Sequence, residues 1–342
     1  MATDKPSTVR VEREPKPAVS RFRTVACLGG ISLERGVDAA EIRTYLRDPS
    51  NVVWVDVQDP GPEELSVLLE DFGFHPLALE DVAKGHQRPK VDEYKGYLFV
   101  VTYAIVSGDS PIDLRTAEVD LFVGRNYVVS IHRQRVPALE EAMVRWTRGG
   151  EMLREGVGFL VYTLMDAIID AYFPLIDAIE DEMDESEIDM FTRAREGGIE
   201  NLLQMKRSLF RLRRVLYPLR EAFHVFLRRD QPIFSASTHV YFHDVYDHIL
   251  RILDVLDMER DMVSGALDAY LTIISNRLNA TMKTLTVITI VVAIAGSVFG
   301  AWGMNVPEIP LADTPFGFWW VMAGTALLIV GTLYLCRKRG WL

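Results

Sequence analysis

Leu285–Trp302 reads LTVITIVVAIAGSVFGAW, and none of its side chains ionises. Phe316–Cys336, FGFWWVMAGTALLIVGTLYLC, repeats the feature after a short interval. A helix needs about 20 apolar residues to cross roughly 30 Å of hydrocarbon, and each run supplies them. Helices buried in a soluble core seldom run so far without a charge, so two membrane spans are predicted. Their flanks orient them. Arg277 and Lys283 precede the first, Arg337, Lys338 and Arg339 follow the second, and the connection holds Glu308 and Asp313 but no Lys or Arg. Basic residues stay on the cytoplasmic side, which places both termini in the cytoplasm of a multi-pass plasma-membrane protein. Trp302, Trp319, Trp320 and Trp341 lie near the ends of the spans, where indole rings anchor at the interface.

Working outward, the helical pattern continues upstream. Ser237–Trp302 has no proline and three glycines, at 265, 296 and 300. Val245, Ile249, Ile252 and Leu256, then Val263, Leu267, Leu271, Ile274, Leu278 and Leu285, recur at spacings of mostly three and four. That is one helical face, on a helix ~100 Å long if continuous. A lone helix of that length cannot bury such a stripe, so its expected neighbours are copies of itself.

Two spans enclose no polar path; a pore requires a ring of subunits, each giving one helix to the axis. Asn279, Met282, Thr286, Thr289, Ala293, Gly296 and Gly300, with Leu285 beside them, share a small or polar face of the first span. Val287, Ile290, Val291, Ile294 and Val298 share the other. Pore lining and close helix packing both fit, since Gly296-x-x-x-Gly300 is a small-xxx-small contact.

The 342 residues carry a net charge of −11, which argues against a nucleic-acid partner. Cys27 and Cys336, the two cysteines, are too far apart in sequence for a CxxC metal site. Residues 1–20 read as a disordered lead-in rather than a signal peptide. Within 21–150, strand candidates are Phe22–Ile31, Val52–Val57, Val91–Val106, Thr116–Val123 and Tyr127–His132, and helix candidates are Asp38–Arg47, Pro62–Phe72 and Pro76–Lys84. This predicts an α/β or α+β domain with a mixed sheet. It has no GxxxxGK[ST] or GxGxxG, hence no nucleotide-driven pump. Residues 151–236 read as a helical hairpin, pairing the acidic DAIEDEMDESEID (177–189) with an arginine-rich helix; a solvated face is the simpler account of the acidic run. Residues 237–302 form a stalk helix continuing into the first span, 303–315 the external loop, 316–336 the second span and 337–342 a basic cytoplasmic tail.

Gly303-Met304-Asn305, directly after the first of two C-terminal spans, resembles the GMN signature of CorA-type magnesium/cobalt transporters. It sits in SNRLNATMKTLTVIT…GAWGMNVPEIP, below FHPLALEDV…HQRPKVDEY, DAYFPLIDAIEDEMDE and YFHDVYDH, and above RKRGWL, in the order of that family. The resemblance implies an αβα cytoplasmic domain, a stalk-helix funnel, and a homopentamer set in membrane lipid. It implies uptake of Mg²⁺, with Co²⁺ and Ni²⁺ as further cargo, and no enzymatic activity. Gly303, Met304 and Asn305 then form the selectivity filter. Asp81 and Asp244 match the carboxylates that hold a regulatory Mg²⁺ between subunits, with Glu80 and Asp166 nearby. The chain departs from the family where it reads VVAIAGSVFGAW: Ile294 replaces a proline, Gly296 a threonine ring and Ala293 a bulky gate residue.

Mg²⁺ sheds water reluctantly and prefers six oxygens, so a ring of Asn305 carbonyls suits a hydrated ion. Glu308 is either a cation-concentrating carboxylate or an ordinary solvated one. His239 and His243, four apart near Asp244, Asp247 and His248, have a spacing that can ligate Zn²⁺, Co²⁺ or Ni²⁺. That keeps open the zinc-transporting, proton-coupled branch of the superfamily. A non-conducting cation sensor or scaffold is the alternative of another class. A membrane-tethered enzyme finds no Ser-His-Asp cue and no HExxH, and His75, His86 and His132 have no evident partner in the sequence.

Overall fold

The computed structural model describes residues 22–37, 39–106, 115–192, 198–305, 309–311 and 314–341. Their compact units are two, one up to Ser264 and one from Gly265.

The first unit is organised by a seven-stranded sheet: β1 (Phe22–Leu28), β2 (Ser32–Arg35), β3 (Val52–Gln58), β4 (Lys90–Tyr94), β5 (Tyr97–Val106), β6 (Arg115–Gly124) and β7 (Tyr127–His132), in spatial order β2-β1-β3-β7-β6-β5-β4. Only β3 and β7 run parallel, with Val53 opposite Tyr127 and Gln58 opposite His132. Val52–Val57 is buried without alternation, as expected of a strand covered on both faces. One face carries Val55, Val57, Phe99, Phe122 and Val129 against Ile42 of α1 (Ala39–Tyr45), Leu68 of α2 (Pro62–Phe72), and Ala78 and Val82 of α3 (Pro76–Lys84). The other face meets α4 (Pro137–Thr147) and α5 (Val157–Asp170), with Trp54 edge-on to Trp146 at 6.1 Å. The result is the expected αβα sandwich.

On that second face Asp56 is buried and accepts from Ser130 Oγ (2.6 Å), Arg23 Nη2 (2.6 Å) and the His132 ring (3.1 Å). Burial alone would raise its carboxyl. The His132 hydrogen bond and charge, helped by Ser130 and Arg23, outweigh it and hold the group below the usual range.

Pro62–Phe72, Pro76–Lys84 and Tyr127–His132 fall on the expected boundaries. The expected strand Val91–Val106 is a hairpin, and the expected strand Phe22–Ile31 ends at Leu28 and is followed by a β2 that was not expected. The chain turns at Gly29 and Gly30 (φ 57° and 70°) and returns as β2, and again at Lys95-Gly96 (Gly96 φ 96°), separating β4 from β5. Positive φ is cheap for glycine alone, and that signal outranks the strand pattern around it. The acidic arm expected of the 151–236 hairpin is preceded by a separate apolar helix. Pro174, which cannot continue the hydrogen-bond ladder, begins α6 (Phe173–Thr192) after apolar α5 ends.

Helix α6 packs on α7 (Gly198–Leu227). Arg213 of α7 and Arg228, just past its end, reach Asp257 (3.3 Å) and Glu93 (2.6 Å) rather than α6. The expected exchange of charge within the hairpin does not hold for these two arginines.

Helix α8 is continuous from His239 to Trp302. Val245, Ile249, Ile252, Leu256 and Val263 are buried in the first unit. The second unit contains the rest of α8 and α9 (Gly317–Lys338). By length and hydropathy three stretches would suit a membrane: Val157–Ser186, His239–Trp302 and Gly317–Lys338. The first has 67% of its most apolar window buried inside the protein, the other two 6%, so the first is core and the other two hold the stretches that suit a membrane.

Candidate functional site

The second unit presents the expected small and polar stripe. Asn279, Met282, Leu285, Thr286, Thr289, Ala293, Gly296 and Gly300 are all exposed, while Val287 is buried and Ile290, Val291, Ile294 and Val298 are half-buried. The covered edge is the one around Val287, while the apolar Ile288, Val292 and Phe299 are exposed like the stripe. Thr286 Oγ1 donates to the Met282 carbonyl and Thr289 Oγ1 to that of Leu285, both at 2.8 Å. The hydroxyl proton is spent inside the helix, and the oxygen's lone pairs are left to accept from outside. At the lower end, Asn276, Asn279, Met282, Lys283 and Thr286 line a cavity with Gly340 and Trp341.

At the other end α8 stops at Trp302. Gly303 N donates to the Phe299 carbonyl (2.9 Å), and a Cβ at Gly303 would stand 3.2 Å from that same oxygen. The helical hydrogen bonding thus carries on to Gly303, and Met304 and Asn305 follow it uncovered. Asn305 offers its side-chain carbonyl at the end of the polar stripe. Glu308 lies outside the described residues.

The expected regulatory carboxylates belong to three elements. Asp81 on α3 holds Lys90 Nζ at 2.7 Å, and Lys90 also reaches Asp92 at 2.6 Å. Burial lowers the Lys90 ammonium, but those two acids overcome it and raise it. Glu80 accepts from Lys84. Asp244 is exposed on α8. Asp166, on α5, is buried and paired with Arg145 Nη2 at 2.6 Å. Asp166 and Asp244 both bear on Tyr162, whose hydroxyl is pushed up first by burial and then by those charges. Asp81 and Glu80 stand apart, beside lysines whose charge a divalent cation would replace.

Sequence reasoning missed one grouping. Asp170 meets His248 Nδ1 at 3.1 Å, and with Asp166 they bring three ligand atoms within 4.8 Å of one another. Burial and the neighbouring Asp166 raise the Asp170 carboxyl, against the opposing pull of His248 and Arg145. The spacing of Asp166 and Asp170, four apart on one helix, was a readable signal; their meeting with His248 depends on how α5 packs. Among the described residues no such grouping of three forms around His239 and His243. His239 Nδ1 is buried without a partner, and His243 is exposed.

Known proteins resemble this chain over most of its length. A family model described as CorA-like Mg²⁺ transporter protein matches residues 49–338. The putative metal ion transporter YfjQ of Bacillus subtilis is 34% identical over 314 residues, covering 92% of this chain and 94% of its own. The cobalt/magnesium transport protein CorA of Thermotoga maritima is 33% identical over 301 residues, covering 86% and 85%. The complete CorA magnesium transporter of Methanocaldococcus jannaschii superposes with a TM-score of 0.80 at 24% identity, over 93% of this chain and 98% of that one. The chain therefore belongs to the CorA-like Mg²⁺ transporter family: it is a divalent-metal transporter of the membrane, not an enzyme.

Proposed function

We propose that a homopentamer of this chain conducts Mg²⁺, with Co²⁺ and Ni²⁺ as lesser cargo, into the cell down the membrane potential. The observation that carries this reading is the uncovered stripe from Asn279 to Gly300 leading to Asn305. A ring of these faces lines a path of amide, hydroxyl and backbone oxygens. Gly303, Met304 and Asn305 form its outer filter, where Asn305 carbonyls accept from the waters of a hydrated ion. Moving two charges through −100 mV releases roughly 4.6 kcal/mol, enough to drive uptake unaided.

Regulation follows from the carboxylates. Intracellular Mg²⁺ bridges Asp81 of one subunit to Asp244 of the next, with Glu80 and Asp166 adding negative potential. It displaces Lys90 from Asp81 and holds the pore closed. Loss of the ion leaves like charges facing each other and opens the assembly.

One observation favours a second reading. Asp166, Asp170 and His248 offer an imidazole nitrogen beside two carboxylates, a donor set that suits Zn²⁺ or Co²⁺ better than Mg²⁺. Zinc transport coupled to protons is the function that set would serve.

The test is divalent-cation flux into proteoliposomes under an imposed potential. Potential-driven Mg²⁺ entry, abolished in Asn305→Ala with the oligomer intact, is expected. Raising luminal Mg²⁺ should close the wild type and leave Asp81→Ala/Asp244→Ala open. Unchanged entry in Asn305→Ala would sink the filter assignment. Zn²⁺ flux that follows a pH gradient would move the function to the second reading.

A further inference from the structure

The cytoplasmic unit contains a cavity that ion conduction does not use. It measures about 480 Å³ and opens where the parallel strands β3 and β7 end, beneath the start of α2 and the end of α3. Ligands commonly sit at the carboxyl ends of parallel strands, where the chain diverges, and the volume is that of a small-molecule site. Its walls include Pro62, Leu65, Val82 and Ile131. Its polar floor is Glu118 and Asp120, two residues apart on β6 and therefore on the same face of the sheet.

Both acids are incompletely satisfied. Asp120 is 5% exposed, and its Oδ1 has no hydrogen-bond partner among the described residues. Glu118 accepts through Oε2 from the Gln87 backbone N–H (3.2 Å) and the Tyr103 hydroxyl (3.1 Å), while its buried Oε1 has no partner among the described residues. The nearby cations are engaged elsewhere: Arg133 donates to the Val82 and Ala83 carbonyls, and Lys90 to Asp81 and Asp92. A buried carboxylate oxygen without a donor is costly, so two beside one cavity point to a missing donor that bears positive charge.

We infer that this cavity binds a small organic cation, an ammonium or guanidinium on a short apolar body, with its donors shared between Glu118 Oε1 and Asp120 Oδ1. A divalent ion needs about six oxygens, and beside Glu118 and Asp120 the lining adds one further carboxylate, Asp59. Among the described residues no group of three metal-ligating side chains gathers here. Leu65, Val82 and Ile131 instead suit an aliphatic stem. Without the ligand, burial first, and then the charges of Glu118 and Asp81, push the Asp120 carboxyl well above its ordinary range. It then holds a proton that an entering cation displaces.

The experiment is isothermal titration calorimetry of n-butylammonium chloride into the full-length, detergent-solubilised protein at neutral pH. Mg²⁺ is kept saturating throughout, so that divalent sites are filled. Saturable binding is expected at one site per chain, with a heat that depends on the buffer's ionisation enthalpy because a proton is released. Asp120→Asn should weaken binding by about tenfold or more and remove the buffer dependence. Glu118→Gln, which keeps an oxygen for the Gln87 amide, supplies the same comparison should Asp120→Asn fail to assemble. Absence of binding, equal binding by the variants, or equal binding of neutral n-butanol would each overturn the inference.

Discussion

The two halves of α8 obey the same sequence rule and meet opposite surroundings. From Val245 to Val263 its apolar residues are buried, Ile252 at 0% exposure. Past Gly265 the same spacing continues, yet Leu271 and Leu278 are 59% and 60% exposed. The first half finds its cover within its own chain, from helices of the αβα unit. Within the second unit, the described part of α8 and α9 leave most of their apolar surface open. Apolar periodicity therefore reports that a surface must be covered, without saying by what. In the proposed homopentamer, lipid and other copies of the chain would supply that cover.

The largest expected effect breaks this comparison if it is wrong. Ile252→Ala should destabilise the cytoplasmic unit by ~2–5 kcal/mol, the cost of a cavity in a packed core. Leu271→Ala should change the same unfolding step by under ~0.5 kcal/mol while shifting the oligomer toward smaller species. Thermal unfolding by circular dichroism and light scattering measure the two effects. Equal melting shifts would mean that both halves are covered within one chain.

The same distinction explains what the sequence made legible. The spans, the long helix and the boundaries of α2, α3 and β7 rest on local signals: absence of charge, proline at a helix start, β-branched runs. The β4–β5 hairpin was lost because Lys95-Gly96 interrupts a run whose strand pattern continues on both sides, and β2 was missed because it is a short strand just past the Gly29-Gly30 turn. The stripe from Asn279 to Gly300 was legible because one helix carries all of it. The Asp166–Asp170–His248 group was not, since α5 and α8 meet only through packing. Glu118 and Asp120 were hidden for a similar reason. Nothing in RTAEVDLFVG says that the ends of α2 and α3 stop short above two of its acids.

A smaller effect sharpens the comparison near the boundary between the halves. Glu259 is buried on α8, and neither carboxylate oxygen has a partner among the described residues. Burial raises its carboxyl above the ordinary value, and the charges of Glu180 and Asp184 raise it further. With a folded-state pKa above the unfolded one, its contribution to stability is fully present below the unfolded pKa, about 4.3. That contribution is lost as pH rises through the folded value. Glu259→Gln should thus be more stable than the wild type at pH 7, by about 1 kcal/mol, and the advantage should shrink toward pH 4. Melting temperatures across that range decide it. A wild type that stays the more stable at pH 7 would show that Glu259 has a cationic partner in the assembly.

The smallest effect separates the two faces of the first span. Thr286 stands on the exposed stripe and Val287, at 3% exposure, on the covered edge. Thr286→Val removes one oxygen from each helix of the ring while keeping shape and volume. Flux should fall several-fold, because a hydrated cation loses acceptors for its waters, and the melting temperature should hardly move. Val287→Thr should do the reverse. Its hydroxyl can bond to the carbonyl four residues back, so the cost is confined to about 1 kcal/mol of stability, and flux should be unchanged. Paired flux and melting measurements on the two variants give four numbers, and only a crossed pattern fits a conducting stripe opposite a packing edge. Should Val287→Thr reduce flux while Thr286→Val does not, the helix would have to be turned, with the covered edge of the lone chain facing the pore.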